Sequence, residues 1–255
     1  GPVFHSRRMN RLFQVVLTHT YGHPVSTFVP GHNLSHHKYV ETDRDVMRTT
    51  KVRSRFNLIN ILMFYPTVAP AILKNDARFA RGMKARNPRW HRQLMTESVV
   101  LAVVSVTLLV LDPIRAALFW FLPHFVGGWG IISTNMLQHD GCDANHPYNH
   151  SRNFTGRVFN WLLVNNGFHS IHHDQPTLHW SFIPEAHERL IKPHMHPNLD
   201  EPSMFLYLVK TFVPWRRRVM YDGSPYDSPG PTEDVSWIPE AGQPMPDISL
   251  GAEAA

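Results

Sequence analysis

Apolar positions along this chain are gathered into long blocks, and the blocks alternate with polar stretches rich in histidine and arginine. The clearest block, residues 98–111, carries no charge and extends back to Leu94 if Glu97 sits at an interface. Asp112-Pro113 reads as a turn, and residues 116–138 then run for about 23 positions without a formal charge. This pattern predicts a helical hairpin crossing a bilayer at residues 94–111 and 116–138, since about 20 apolar residues span the hydrocarbon. A buried hairpin in a soluble protein would carry a similar pattern. Residues 56–73 also have spanning length, but Pro66 and Pro70 predict a kinked or re-entrant segment. Near the start, an apolar run at residues 12–17 follows Arg7, Arg8 and Arg11 and is interrupted by Pro24, Pro30 and Gly31. An embedded or interfacial helix with a break fits that pattern. Residues 181–214 look amphipathic, and Trp215, Arg216, Arg217 and Arg218 suit a lipid headgroup surface. From Asp222 onward the chain is rich in Pro, Gly and acids without periodicity, so residues 1–221 are expected to form one domain and 222–255 a disordered tail.

Charge adds direction to this picture. The net charge is +5, but the basic residues lie beside apolar blocks, which argues against a nucleic-acid partner. Lys74, Arg78, Arg81, Lys84, Arg86, Arg89 and Arg92 are opposed only by Asp76. Such a one-sided run beside spanning segments marks a cytoplasmic, phospholipid-facing surface. It places the start of the first spanning helix in the cytoplasm, so the second must return there. A single cysteine, Cys142, excludes an internal disulfide framework and fits a reducing compartment. The chain shows no phosphate-cradling glycine loop and no haem-attachment motif, so any electrons it uses come from another protein.

The histidines supply candidate chemistry. His169, His172 and His173 lie at i, i+3 and i+4, which on a helix puts three imidazoles on one face. Neutral imidazole is a common ligand for iron, zinc and copper. Far upstream, His32-x-x-x-His36-His37 repeats the terminal His-His pair. On an α-helix His36 would lie near His32, and His37 would point away from both. Asn135 and His139 share a helix face at i, i+4, so one can ligate while the other holds a water. Asp43 and Asp45 are candidate acceptors behind the ligands, since ligating histidines need a hydrogen-bond partner on the other nitrogen. His124 is expected to bond a neighbouring helix. His146 and His150 read as loop histidines, and His179, His187, His194 and His196 are assigned no metal. A polar helix face could gather histidines without any metal, but two such clusters in one chain suggest a shared polynuclear site.

These boxes resemble those of the membrane fatty acid desaturase and hydroxylase superfamily. The stretch from Lys38 to Asp45 resembles the segment after the second box of acyl-CoA desaturases. The flanks Asn149-His150-Ser151-Arg152-Asn153-Phe154 and Pro176-Thr177-Leu178-His179-Trp180 resemble those of bacterial acyl-lipid desaturases. Asn135 and His139 resemble the extra metal site of that family. The resemblance covers residues 1–215. It implies an all-α integral membrane helical bundle, multi-pass, with a cytosolic helical cap carrying the histidine boxes. It implies two iron ions held by His32, His36, His37, His139, His169, His172 and His173, with O2 and two donated electrons used to remove hydrogens from adjacent methylenes. The expected substrate is an acyl-lipid or acyl-CoA, and the expected donor a ferredoxin or cytochrome b5 type protein with its reductase. The first box is either supplied by His19 and His23 or lies before Gly1, because residues 1–8 resemble the text that follows a first box. The longer spacing of the upstream box also occurs among hydroxylases, so a membrane hydroxylase or alkane-type monooxygenase shares every ligand. A zinc membrane protein or an inactive fragment are the other readings, although seven ligands exceed the four of a zinc site.

Overall fold

A computed structural model describes residues 3–226 and 232–239. Helix takes up 65% of the described residues and strand almost none, in line with an all-α class. In chain order the helices are α1 (Arg7–Tyr21), α2 (His37–Tyr39), α3 (Asn57–Arg86), α4 (Pro88–Leu111), α5 (Pro113–Ala116), α6 (Leu122–His139), α7 (Arg157–Leu162), α8 (His169–Asp174), α9 (Ile183–Ala186) and α10 (Met204–Phe212). Two wider π-helical stretches matter here, Val29–His36 before α2 and Ala117–Phe121 joining α5 to α6. The chain divides into two compact units. Among the described residues, one contains 3–38, 69–131 and 234–239, and the other contains 39–68, 132–226 and 232–233.

In the first unit, α1 is opened by Ser6, whose side chain accepts the Met9 amide hydrogen bond. It closes at Gly22, which has φ 72° and donates its N–H to the Thr18 carbonyl. A Cβ on Gly22 would lie 2.4 Å from Cγ of His124, so both the positive φ and the close approach require glycine. The His124 ring there pairs Nε2 with the His19 carbonyl at 2.8 Å, the helix-to-helix bond expected of it. Asn87 caps α4 by accepting from the Trp90 amide, with Pro88 in the first turn. Asp112 ends α4 and caps α5, accepting the Arg115 amide bond at 3.0 Å.

Pro88–Leu111 and Pro113–His139 are the two helices, among the described residues, long and apolar enough to cross a membrane. At 1.5 Å per residue each exceeds the ~30 Å hydrocarbon thickness. Their apolar side chains face outward, with Val110 77% and Leu111 75% exposed, as a lipid-facing surface requires. Glu97 is fully buried and accepts from Ser26 N at 2.9 Å, Ser26 Oγ at 3.0 Å and Gln93 Nε2 at 2.9 Å. Those three donors replace the water that its carboxylate loses. Helix α3 runs as one element from Asn57 to Arg86 and includes Pro66 and Pro70, the two prolines from which a kinked or re-entrant segment was expected. A proline removes only its own N–H from the helical ladder, so the rest of the helix keeps its bonds.

In the second unit, α3 supplies Ile61, Phe64 and Val68, and α6 supplies Met136 and Leu137. A second cluster joins Phe168 and Ile171 to Ile183, Ile191, Met195 and Leu199. A two-residue parallel ladder pairs Asn153 with Asp200 and Phe154 with Glu201. Arg218 corrects the headgroup reading of residues 215–218. Trp215, Arg216 and Arg217 are exposed, but Arg218 is buried and pairs with Asp140. Its guanidinium also donates to the carbonyls of Val52 at 2.8 Å and Thr49 at 3.1 Å.

Of the segment 222–255, expected to be disordered, residues 222–226 and 232–239 are described, and several of the latter make contacts. In the second unit Lys51 pairs with Glu233 at 2.5 Å and Arg48 donates to the Thr232 carbonyl. In the first unit Trp237 and Ile238 are buried, and the Pro239 carbonyl lies against Gly82. Two large apolar side chains give this stretch something to bury, which its overall composition conceals. The rest of the segment lies outside the described residues.

Candidate metal centre

Helix α6 delivers His139 to the second unit as its last residue, and α8 delivers His169 and His173 one turn apart. His139 Nε2 lies 2.9 Å from His169 Nε2, and His173 Nε2 lies 3.1 Å from the same atom. His139 and His169 are buried, and the three ring centroids are 4.6–4.9 Å apart. His172 points aside, its centroid 5.6 Å from His169 and 5.9 Å from His173. The i, i+4 pair therefore shares a focus that the i+3 residue does not.

The donor set fits a metal. His139 Nδ1 lies 3.0 Å from the His150 carbonyl, a bond that places its proton on Nδ1 and turns a lone pair on Nε2 toward the other rings. A proton on His169 Nε2 could serve only one of the two nitrogens facing it, whereas a cation at the centre would serve all three. Imidazole–metal bonds of about 2.1 Å at right angles put neighbouring nitrogens about 3.0 Å apart, which matches the spacing seen. These three belong to a histidine group that could hold a metal ion.

The first unit carries His32, His36 and His37. His32 and His36 lie in the π-helical stretch Val29–His36, whose closing bond runs from the His37 N–H to the His32 carbonyl. This corrects the α-helical reading of the box. An i→i+5 turn is one residue wider, so His37 comes back over His32 at 4.5 Å between centroids, while His36 is 5.8 Å from His32. His36 is buried. His19 takes its own helix's Val15 carbonyl on Nδ1 at 2.7 Å and packs on Trp120. His23 pairs Nδ1 with the Tyr21 carbonyl at 3.1 Å and stacks on Phe28.

Residues expected behind the ligands have defined partners. Asn135 is buried and donates Nδ2 to the Met47 carbonyl at 2.8 Å. Asp45 is fully buried and accepts from the amides of Glu41 at 3.0 Å and Met47 at 2.8 Å, closing the loop after the upstream box. Asp43 is exposed. His150, read from sequence as a loop residue, is buried with Nε2 3.4 Å from Asp174. Its contribution is a main-chain carbonyl, for which a side-chain motif gives no signal.

Glu41, part of the flank from Lys38 to Asp45, had no role assigned to it from sequence. It adopts φ 59°, and its carboxyl accepts from Thr49 N at 2.7 Å and meets Thr49 Oγ1 at 2.8 Å. Burial of that carboxyl, with the Asp45 charge beside it, pushes its pKa up to about 8 from 4.5. The folded state therefore holds a proton that the unfolded state releases. The resulting stabilisation is complete below pH 4.5 and is lost as pH rises through about 8. Glu41→Gln is expected to remove this alkaline loss. Melting followed at pH 6 and pH 9 checks it: the wild-type midpoint should fall several degrees further than the variant's, and parallel falls would refute the buried-acid account.

The family model described as "Fatty acid desaturase" matches residues 1–201. No curated protein matches the chain.

Proposed function

Because the chain belongs to the fatty acid desaturase family, we propose that it introduces a double bond into an acyl chain in an O2-dependent reaction at a di-iron centre on the cytosolic side of the membrane. The family is an oxidoreductase family associated with membranes and lipid substrates. The observation that carries the reading is the convergence of His139, His169 and His173 on one point through their Nε2 atoms. His32, His36 and His37 would join them and His172 in holding two irons, with Asn135 and Asp45 fixing the segments from which the ligands project. When bound, such a pair of irons would supply the oxidising power that an unactivated C–H bond demands, which acid–base residues cannot provide.

The protein's own part is orientation. The His150 carbonyl keeps the His139 proton on Nδ1, so that Nε2 is presented as a ligand. Burial of His139 and His169 keeps water away from the centre. Basic residues from Lys74 to Arg92 face the cytosolic headgroups, and the apolar surfaces of Pro88–Leu111 and Pro113–His139 hold the enzyme in the bilayer that carries its acyl-lipid or acyl-CoA substrate. Electrons arrive from a ferredoxin or cytochrome b5 type donor with its reductase.

Expression of the full-length enzyme with a donor system, followed by mass spectrometry of cellular fatty acids, tests this. New monounsaturated acids that disappear in His172→Ala are expected. Hydroxy acids or alcohols as the chief His172-dependent product would instead identify a hydroxylase. The two reactions diverge after the first hydrogen is removed, on whether the carbon radical or the neighbouring C–H is presented next.

A further inference from the structure

Residues 150–153 make contacts that no ligand motif requires. The His150 carbonyl orients the His139 ring. Next to it, Ser151 Oγ lies 2.9 Å from Ser170 Oγ. Asn153 grips Ser170 from two sides, accepting from its N–H at 2.9 Å and donating Nδ2 to its Oγ at 2.8 Å. Ser170 directly follows His169, and Ser151, Asn153 and Ser170 are all fully buried.

Arg152 points the other way, onto the end of α6. The last carbonyls of a helix lack intrahelical partners. Here the Arg152 N–H donates to the Gln138 carbonyl at 2.6 Å, and Nη1 donates to Leu137 at 3.2 Å and Asp140 at 3.1 Å. The guanidinium is buried over the Tyr207 ring, 4.2 Å from its centroid. A fixed positive charge at the negative end of the helix, hydrogen-bonded on both sides of His139, leaves that residue little freedom.

We propose that residues 150–153 form a template that sets the separation of His139 and His169 before metal arrives, with Arg152 as its chief positioning residue. This rests on His139 and His169 being metal ligands. Four consecutive residues hold the two ligands from opposite sides, so the 2.9 Å spacing of their Nε2 atoms is imposed by the protein. Arg152 touches no ligand nitrogen. It acts through the main chain on either side of His139.

The test is cobalt(II) titration of the detergent-purified full chain, read by ligand-field absorption, with melting measured in parallel. Arg152→Met is expected to weaken cobalt binding about 10- to 100-fold and to shift the absorption bands. Arg152→Lys should recover part of the affinity, because one nitrogen makes both side-chain carbonyl contacts and an ammonium can donate to them, while the stacking on Tyr207 is lost. Ile61→Ala, in a buried part of α3 away from these contacts, controls for general destabilisation. Wild-type affinity and spectrum in Arg152→Met would overturn the template. So would an equal loss in Ile61→Ala at matched melting, or a lysine variant no better than methionine. Cobalt binding that is the same in wild type and His139→Ala would overturn the centre itself, a separate failure.

Discussion

His169→Ala is expected to strip the protein of metal and abolish lipid product. His169 is the middle member of its trio: its Nε2 faces both His139 at 2.9 Å and His173 at 3.1 Å. Removing it breaks both close approaches at once and leaves His139 and His173 without the nitrogen between them. Losing a partner behind a ligand costs about 10- to 100-fold in metal affinity, so losing the central ligand should exceed about 100-fold. Iron content of purified protein and fatty acid profiles of expressing cells would both be measured. His179→Ala is the control, since that histidine is exposed and pairs with Ser181 at 2.8 Å. Retention of metal by His169→Ala, or equal loss in His179→Ala, would remove the basis for the site.

Arg218→Met should produce a large loss of stability. Arg218 and Asp140 form an ion pair buried on both sides. Removing the guanidinium strands a carboxylate away from water and leaves the Val52 and Thr49 carbonyls without this donor. Breaking one side of such a pair costs about 3–5 kcal/mol. Adding Asp140→Asn should return much of that, because the stranded charge goes with it. Arg217→Met next door should lie within about 0.5 kcal/mol of wild type, as expected for an exposed position. Denaturant unfolding of the four proteins in detergent decides the matter. Equal effects at 217 and 218 would show that the pair contributes little.

The two arginines mark where reading from sequence stops. The two long apolar helices were legible because uncharged runs rich in valine and leucine mark them in the sequence, and the structure returns the turn at Asp112-Pro113. Of the downstream box, the pair at i and i+4 was legible because those positions converge on an α-helix, whereas His172, expected on the same face, turns aside from His169 and His173. Arg216, Arg217 and Arg218 look alike in sequence, yet only the third is buried, because depth depends on which distant carboxylate folds beneath it. Arg152 was visible within a flank but not as a helix cap, since its partners are main-chain carbonyls. Trp237 and Ile238 were hidden by the Pro, Gly and acidic residues around them. His37 was misplaced because periodicity arguments assume 3.6 residues per turn, which Val29–His36 does not obey.

That wider turn separates distance along the chain from distance in space. In α8 the first and last histidines are four apart, and their rings lie 4.6 Å from each other. In the upstream box they are five apart, and their rings lie 4.5 Å from each other. One hydrogen-bonded turn separates each pair, and the additional residue is taken up by the circumference of the helix. The number of letters between the histidines is therefore a poor measure of what a box can grip. An insertion that looks like a change of chemistry in the text is, in three dimensions, a change of gauge.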